Sequence, residues 1–303
     1  CLEITMQIPQ RKLLSLALLS VFCNPSWATD ITLQSQTLTL DQVIVDSGMD
    51  LFYIDQLTMP PASRLNIICE DAPTKLQYTS TNTSHKKFTA IRSEGDIVFT
   101  NSPTIELKTK GFKTSTLFSA EYSNVTAENL SLSVHAVDGE AFAMSADHSN
   151  LNLVGRFNLS AIQNDGLGIA LHASDSDLTF TSTGNSSIKG LVNVVGGNVS
   201  VNLNNPTDTW IGRTNGNLHL TITGGAQWTT DEDSNLAQFK WGKDGVLDIR
   251  EKGTYEVRIV AGETIIEDGA VLKVDLASAL NSQTVSDLYL SDIKNTEKAR
   301  VNV

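Results

Sequence analysis

Cysteine is scarce in this chain, with three in 303 residues, and two of them, Cys1 and Cys23, fall in an N-terminal leader. The remaining thiol, Cys69, cannot close an intrachain disulfide, so the fold does not depend on cross-links. Its surroundings, Ile67-Ile68-Cys69-Glu70, offer no His base and no orienting residue, and Cys69 reads as a small buried residue rather than a nucleophile. Aromatics are also scarce, at 6%. Leu and the β-branched residues must therefore supply most of the packing. Positive charge is in deficit: 22 Lys and Arg stand against 34 Asp and Glu, a net −12. That balance excludes the basic groove of a sequence-independent nucleic-acid binder, and it keeps a long β-rich surface soluble. A Walker loop, a dinucleotide fingerprint, Cys/His zinc spacing and Ca²⁺-binding nonapeptides are all missing. No cofactor and no metal site is expected.

The leader comes first among the features that are present. Arg11 and Lys12 form a basic start, Leu13 to Phe22 an apolar run, and Ser26-Trp27-Ala28 places small residues where a signal peptidase needs them. The run is too short for a transmembrane helix, which takes about 20 apolar residues. Phe22 is too bulky for a lipid-attachment box at Cys23, which favours cleavage after Ala28 over lipidation. Met6 reads as the initiator, with Cys1 to Thr5 as upstream translated sequence or a fragment edge.

A short unit then recurs: a small polar residue followed by two apolar residues flanking a third. It occurs as Asn129-Leu130-Ser131-Leu132, Asn150-Leu151-Asn152-Leu153, Asp177-Leu178-Thr179-Phe180, Asn198-Val199-Ser200-Val201 and Asn217-Leu218-His219-Leu220. Starts 21, 27, 21 and 19 residues apart indicate a solenoid, each unit being a period-2 strand between Gly, Asn and Ser turns. One such strand cannot bury its apolar side alone; stacked on copies of itself it can. The expected fold is all-β: a right-handed parallel β-helix with a C-terminal β cap and the apolar residues of the five units stacked in files. At roughly 22 residues per coil, about 12 coils would make a rod on the order of 60 Å.

The organisation expected is a leader over 1–28, N-terminal coils and cap over 29–95, β-helix repeats over 96–225 and a C-terminal cap over 226–303. Asp138-Gly139-Glu140-Ala141-Phe142-Ala143-Met144 and Asp165-Gly166-Leu167-Gly168-Ile169-Ala170-Leu171 read as equivalent strands 27 residues apart, each opened by an Asp-Gly turn. Asn residues at the turns form either interior ladders or a solvated surface.

Parallel β-helices include polysaccharide lyases and hydrolases, whose sites gather Asp, Lys, Arg or His on one face. The candidates are Asp175 with Asp177, His148 and His172, Asp231-Glu232-Asp233, and Lys240 with Lys243. Asp175-Ser176-Asp177 supplies too few oxygens for Ca²⁺, which takes six to eight, and reads as a solvated turn. In the strand alignment His148 corresponds to Asp175 and His172 to Ser145, so the two histidines share no file. The run at 231–233 is explained by local solvation. Asp46-Ser47-Gly48 echoes a serine-protease nucleophile but reads as a turn, with no His and Asp partners in context. No catalytic residue is assigned, and the chain is expected not to be an enzyme.

After Gly224-Gly225 the pattern changes. Gly224-Gly225-Ala226-Gln227-Trp228, Ser234-Asn235-Leu236, Gly245-Val246-Leu247-Asp248-Ile249, Leu272-Lys273-Val274-Asp275-Leu276, Val285-Ser286-Asp287-Leu288-Tyr289-Leu290 and Ala299-Arg300-Val301-Asn302-Val303 follow in turn. This stretch resembles the C-terminal, autochaperone part of a pertactin-like autotransporter passenger domain. The resemblance implies export through the periplasm and display at the bacterial cell surface, or secretion, as a non-enzymatic adhesin or self-association rod. The partners it implies are surface proteins or glycans of a host or neighbouring cell, further copies of the chain, and the chain's own outer-membrane translocator barrel. No barrel-sized segment follows Leu290, so the barrel is expected from a longer chain or a separate one. The alternative is a secreted β-helix carbohydrate-active enzyme, a polysaccharide lyase or hydrolase.

Overall fold

The computed structural model is a right-handed parallel β-helix. It describes residues 28–33, 36–40, 49–55, 64–69, 73–80, 85–164, 166–230, 232–250, 256–274, 287–294 and 299–303, with side chains from Ile67 apart from those of 85, 86, 256 and 287. Of the leader only Ala28 falls within them. No α-helix occurs among the described residues, and so none long and apolar enough to cross a membrane.

Each coil visits up to three faces. The first face carries β3 (Met49–Asp55), β6 (His85–Glu94), β9 (Phe112–Glu121), β12 (Glu140–Asp147) and the N-terminal parts of β16 (Ile169–Ser182), β18 (Leu191–Leu203) and β20 (Thr214–Ile222). The second carries β1 (Ala28–Leu33), β4 (Arg64–Cys69), β7 (Ile97–Phe99), β10 (Asn124–Ala127), β13 (Asn150–Gly155), the C-terminal parts of β16, β18 and β20, then β22 (Ser234–Trp241), β24 (Glu256–Ile266) and β26 (Asp287–Leu290). The third carries β2 (Gln36–Leu40), β5 (Thr74–Ser80), β8 (Thr104–Lys110), β11 (Leu130–Ala136), β14 (Phe157–Gln163), β17 (Ser187–Lys189), β19 (Thr209–Ile211), β21 (Gln227–Thr229), β23 (Val246–Asp248), β25 (Ala270–Lys273) and β27 (Val301–Asn302). The second face has eleven rungs; at the ~4.8 Å strand spacing they make a rod of about 50 Å.

All ten apolar residues of the repeated unit are buried, but they do not share one set of files. On the second face Ile97, Val125, Leu151, Leu178, Val199 and Leu218 stack in register. Leu130 and Leu132 belong instead to the third face, where Ile105, Leu132, Leu159, Ile188, Trp210, Trp228 and Leu247 form a file. The unit at Asn129 therefore opens a third-face strand and is not the second-face counterpart of Asn150 that its spelling suggests. The true second-face predecessor of Asn150 is Asn124-Val125-Thr126-Ala127, hidden because Ala replaces a large apolar residue. Period 2 specifies which side of a strand is buried, and it cannot say to which sheet the strand belongs.

The corner between the first and second faces repeats as Tyr122-Ser123-Asn124, His148-Ser149-Asn150 and Asp175-Ser176-Asp177. The serines point inward and tie coil to coil: Ser123 N–H donates to Ser149 Oγ and Ser149 N–H to Ser176 Oγ, each at 3.0 Å. The asparagines point outward. Asn124 Nδ2 donates to Asp96 Oδ1 at 2.7 Å, Asn150 Nδ2 to Asn124 Oδ1 at 3.1 Å and Asn198 Nδ2 to Asp177 Oδ1 at 2.9 Å, an exposed amide–carboxylate ladder.

Coil length contracts in the middle of the rod, from 27 residues between the paired Asn150 and Asp177 to 21 between Asp177 and Asn198, and rises again to 25 between Ser234 and Ile259. The contraction occurs at the corner from the third face to the first. Downstream, that turn shrinks to single glycines, Gly190 (φ 135°) and Gly212 (φ 134°). A Cβ on Gly212 would lie 2.3 Å from the Gly190 carbonyl oxygen, so any other residue would force the coils apart. Those carbonyls also accept the indole N–H groups of Trp210 (to Gly190, 3.1 Å) and Trp228 (to Gly212, 2.8 Å). In the C-terminal region Val257, Ile259 and Ala261 face inward and Arg258 and Val260 outward, the alternation expected of a half-wet sheet. These strands continue the same ladders.

Candidate functional site

The step from long to short coils creates a groove. β14 runs on past the corner, turns at Asn164 (φ 49°) and folds back as β15 (Gly166–Leu167), antiparallel to Ile162 and Gln163. Gly168 N–H then donates to the Ala161 carbonyl at 2.8 Å and β16 begins. Gly166 is therefore part of a hairpin and not, as the Asp-Gly spelling suggested, the counterpart of Gly139, although β12 and β16 do align 27 residues apart. With no equivalent excursion at Gly190 and Gly212, the hairpin overhangs a cavity of about 710 Å³.

Leu167 forms the wall of this cavity, and Ile169, Leu191 and Ile211 form an apolar floor. Leu167 and Ile211 remain 38% and 40% exposed. Around the floor stand His135, Glu140, Lys189, Arg213 and Glu232. Arg213 is the ion partner of Glu232, and Thr114 Oγ1 donates to Glu140 at 3.3 Å. Lys189 has no ion partner among the described residues. Such a groove can hold an elongated ligand with an apolar side and at least one group that accepts from Lys189.

The residues singled out in the sequence do not converge on it, apart from Glu232. Asp175 adopts a left-handed corner conformation (φ 44°), and Asp177 accepts from the backbone and side chain of Asn198. Asp231 and the 46–48 segment lie outside the described residues. Asp233 accepts from Arg258 N–H at 3.0 Å. Lys240 Nζ lies 2.9 Å from Glu267, to which Lys243 N–H also donates, and these two bonds, Lys240's first, hold the Glu267 carboxyl below the usual range. Cys69 is half-buried, and burial pushes its thiol up, away from the thiolate a nucleophile needs. Among the described residues no three His, Cys, Asp or Glu side chains are placed to hold a metal ion.

Among the described residues Asp208 is the most deeply buried carboxylate, ahead of Asp248, and no local sequence pattern marks it. Its oxygens accept from Ser182 Oγ (2.7 Å) and from the backbone N–H groups of Ser186, Asn204 and Asn205 (3.0–3.1 Å). Those bonds occupy it in closing a turn between coils, which explains its burial without chemistry.

His172 sits beside Ser145, as the alignment placed it, and half-buried on the outer side of the first face. Burial lowers its pKa, opposed by the charge of Asp147. Asn193 Nδ2 lies 3.1 Å from its Nδ1, and Asn193 Oδ1 accepts from Asn215. With the Asn193 amide as donor, the imidazole is held neutral. The unfolded chain therefore takes up the proton first as pH falls through the usual histidine range near 6.5. Stability from this site is complete above that range and is lost as pH drops toward the depressed native value. Thermal midpoints at pH 7.5 and 5.0 should show a smaller acid-induced drop for His172→Gln than for the wild type; equal drops would remove His172 from the account.

Compared with known proteins, the chain matches no family model, no curated protein and no solved structure. Function must be argued from the rod itself.

Proposed function

We propose that this chain is the exported passenger rod of a bacterial autotransporter, acting at the cell surface as a non-enzymatic adhesin or self-association module. The observation that carries a binding role is the groove beneath the 163–168 hairpin, where exposed Leu167 and Ile211 meet an apolar floor in one concavity, whereas Val154 and Val195 are exposed outside it. Exposed apolar side chains gathered in one concavity mark a contact surface. Support for the passenger assignment comes from the leader at residues 1–28 and from the resemblance of residues 224–303 to an autochaperone region.

The test immobilises the full chain and measures binding to surface proteins and glycans of candidate host or neighbouring cells, and to the free chain. Leu167→Asp/Ile211→Asp should weaken the interaction at least about tenfold while leaving the circular-dichroism spectrum unchanged, because both side chains are already exposed. Retained binding would remove the groove from the reading. Incubation with acidic polysaccharides, with and without Ca²⁺, should yield no cleavage products. Cleavage would establish the alternative, a carbohydrate-active β-helix enzyme.

A further inference from the structure

The opposite edge of the first face carries a second feature, independent of the groove. Gly95, Tyr122, His148, Asp175 and Gly196 occupy the same corner in five successive coils, all at positive φ (120°, 49°, 47°, 44° and 78°). Gly and Asp accept this conformation readily, whereas an aromatic residue in it is uncommon. Tyr122 is nevertheless 69% exposed and lends nothing to the core. Its ring stacks on His148, with centroids 5.0 Å apart and planes 22° from parallel. The stack is covered on one side only, because Gly95, the preceding residue of the file, has no side chain to lay on the other face of Tyr122.

The surroundings define what would complete the stack. Glu94, Glu121 and Asp147 flank the file on the first face, Asp96 and Asp177 flank it on the second, and Asp175 lies within it. The arginine at this corner, Arg92, reaches Glu94 at 3.0 Å and Glu121 at 2.6 Å, and His148 Nδ1 lies 3.0 Å from Asp147. Asp175 and Asp177 lie beyond His148, but on the open side the coils of Gly95 and Tyr122 set Glu94, Asp96 and Glu121 against the Arg92 guanidinium, so carboxylates outnumber cations around an open aromatic face. A guanidinium satisfies both demands at once, since its plane stacks on a ring while its edge donates to carboxylates. The chain makes the same contact internally, with the Arg258 guanidinium carbon 4.6 Å from the Tyr289 ring centroid. We propose that the Tyr122–His148 corner is a docking site for an arginine-bearing, extended segment of a partner protein. The ring pair carries the inference and the carboxylates supply the charge complementarity.

The test uses the full chain and a fluorescein-labelled (Arg-Gly)₄ peptide, read by fluorescence anisotropy at 150 mM salt. A (Lys-Gly)₄ peptide of equal charge, a citrulline analogue and a glucosamine oligomer serve as comparisons. The Arg peptide should bind best and the citrulline peptide not at all. Tyr122→Asn should weaken Arg-peptide binding about tenfold, and since Asn tolerates the left-handed conformation, its thermal midpoint should match or exceed the wild type. Equal affinity for the Arg and Lys peptides, or unchanged binding by Tyr122→Asn, would reduce the site to unspecific charge and overturn the proposal. Preference for the glucosamine oligomer would overturn it in favour of a cationic glycan.

Discussion

Leu178→Asp should leave the middle of the rod unfolded. Leu178 is fully buried in the second-face file, with Leu151 on the coil before and Val199 on the coil after. A carboxylate there would have no cationic or hydrogen-bonding partner in the file, and burying it costs more than about 4 kcal/mol, a large share of the stability of an ordinary domain. The neighbouring Thr179→Asp puts the same charge on the outer side of the same strand, where the expected change is within about 0.5 kcal/mol. Circular dichroism and limited proteolysis of the two variants make the comparison. Similar behaviour of both would mean that this strand does not bury alternate residues, and the solenoid register would be wrong.

The second large effect is expected at Trp228. Its indole is fully buried, stacks on Trp210 with centroids 5.2 Å apart, and meets Phe239 edge-to-face at 5.5 Å. Phe239 in turn stacks on Trp241, whose indole N–H donates to the Gly245 carbonyl at 2.8 Å. Four large rings, three of them Trp, thus fill consecutive coils, where the upstream coils pack smaller ring pairs such as Tyr78–Phe88 and Phe157–Phe180. Trp228→Ala removes the central ring, at a cost of roughly 3–5 kcal/mol. Because each coil of a solenoid contacts only its neighbours, the damage should stay local. Wild-type proteolysis is expected to leave a resistant C-terminal fragment from about Trp228 onward, which the variant should lose while its N-terminal coils are cut at the wild-type rate. An N-terminal half that outlasted the C-terminal half in the wild type would reject this ordering of stability.

These two predictions differ in how far the sequence led to them. The alternation around Leu178 shows in four residues, and its burial follows from period 2 alone. The importance of Trp228 was visible only as composition. That it stacks on Trp210 depends on an 18-residue return through the first and second faces, and loop lengths set such returns without leaving a periodic signal. The same limit displaced Asn129: a strand on the third face and a strand on the second can share a spelling, because both need a polar turn residue followed by alternate apolar ones.

The sequence by itself determined that this chain is a β-solenoid, which side of most strands faces inward, and that His148 and His172 fall in separate files. Each of these follows from local alternation and repeat spacing, which a linear reading preserves. Tertiary structure alone decided which strands share a sheet, where coil length contracts, and hence where the groove opens beneath the 163–168 hairpin. It also decided that Tyr122, His148 and Asp175, 26 and 27 residues apart in the chain, stand one above another at a corner. Sites on a solenoid form between coils, from residues whose separation is set by every turn between them, and no short stretch of the chain contains that sum.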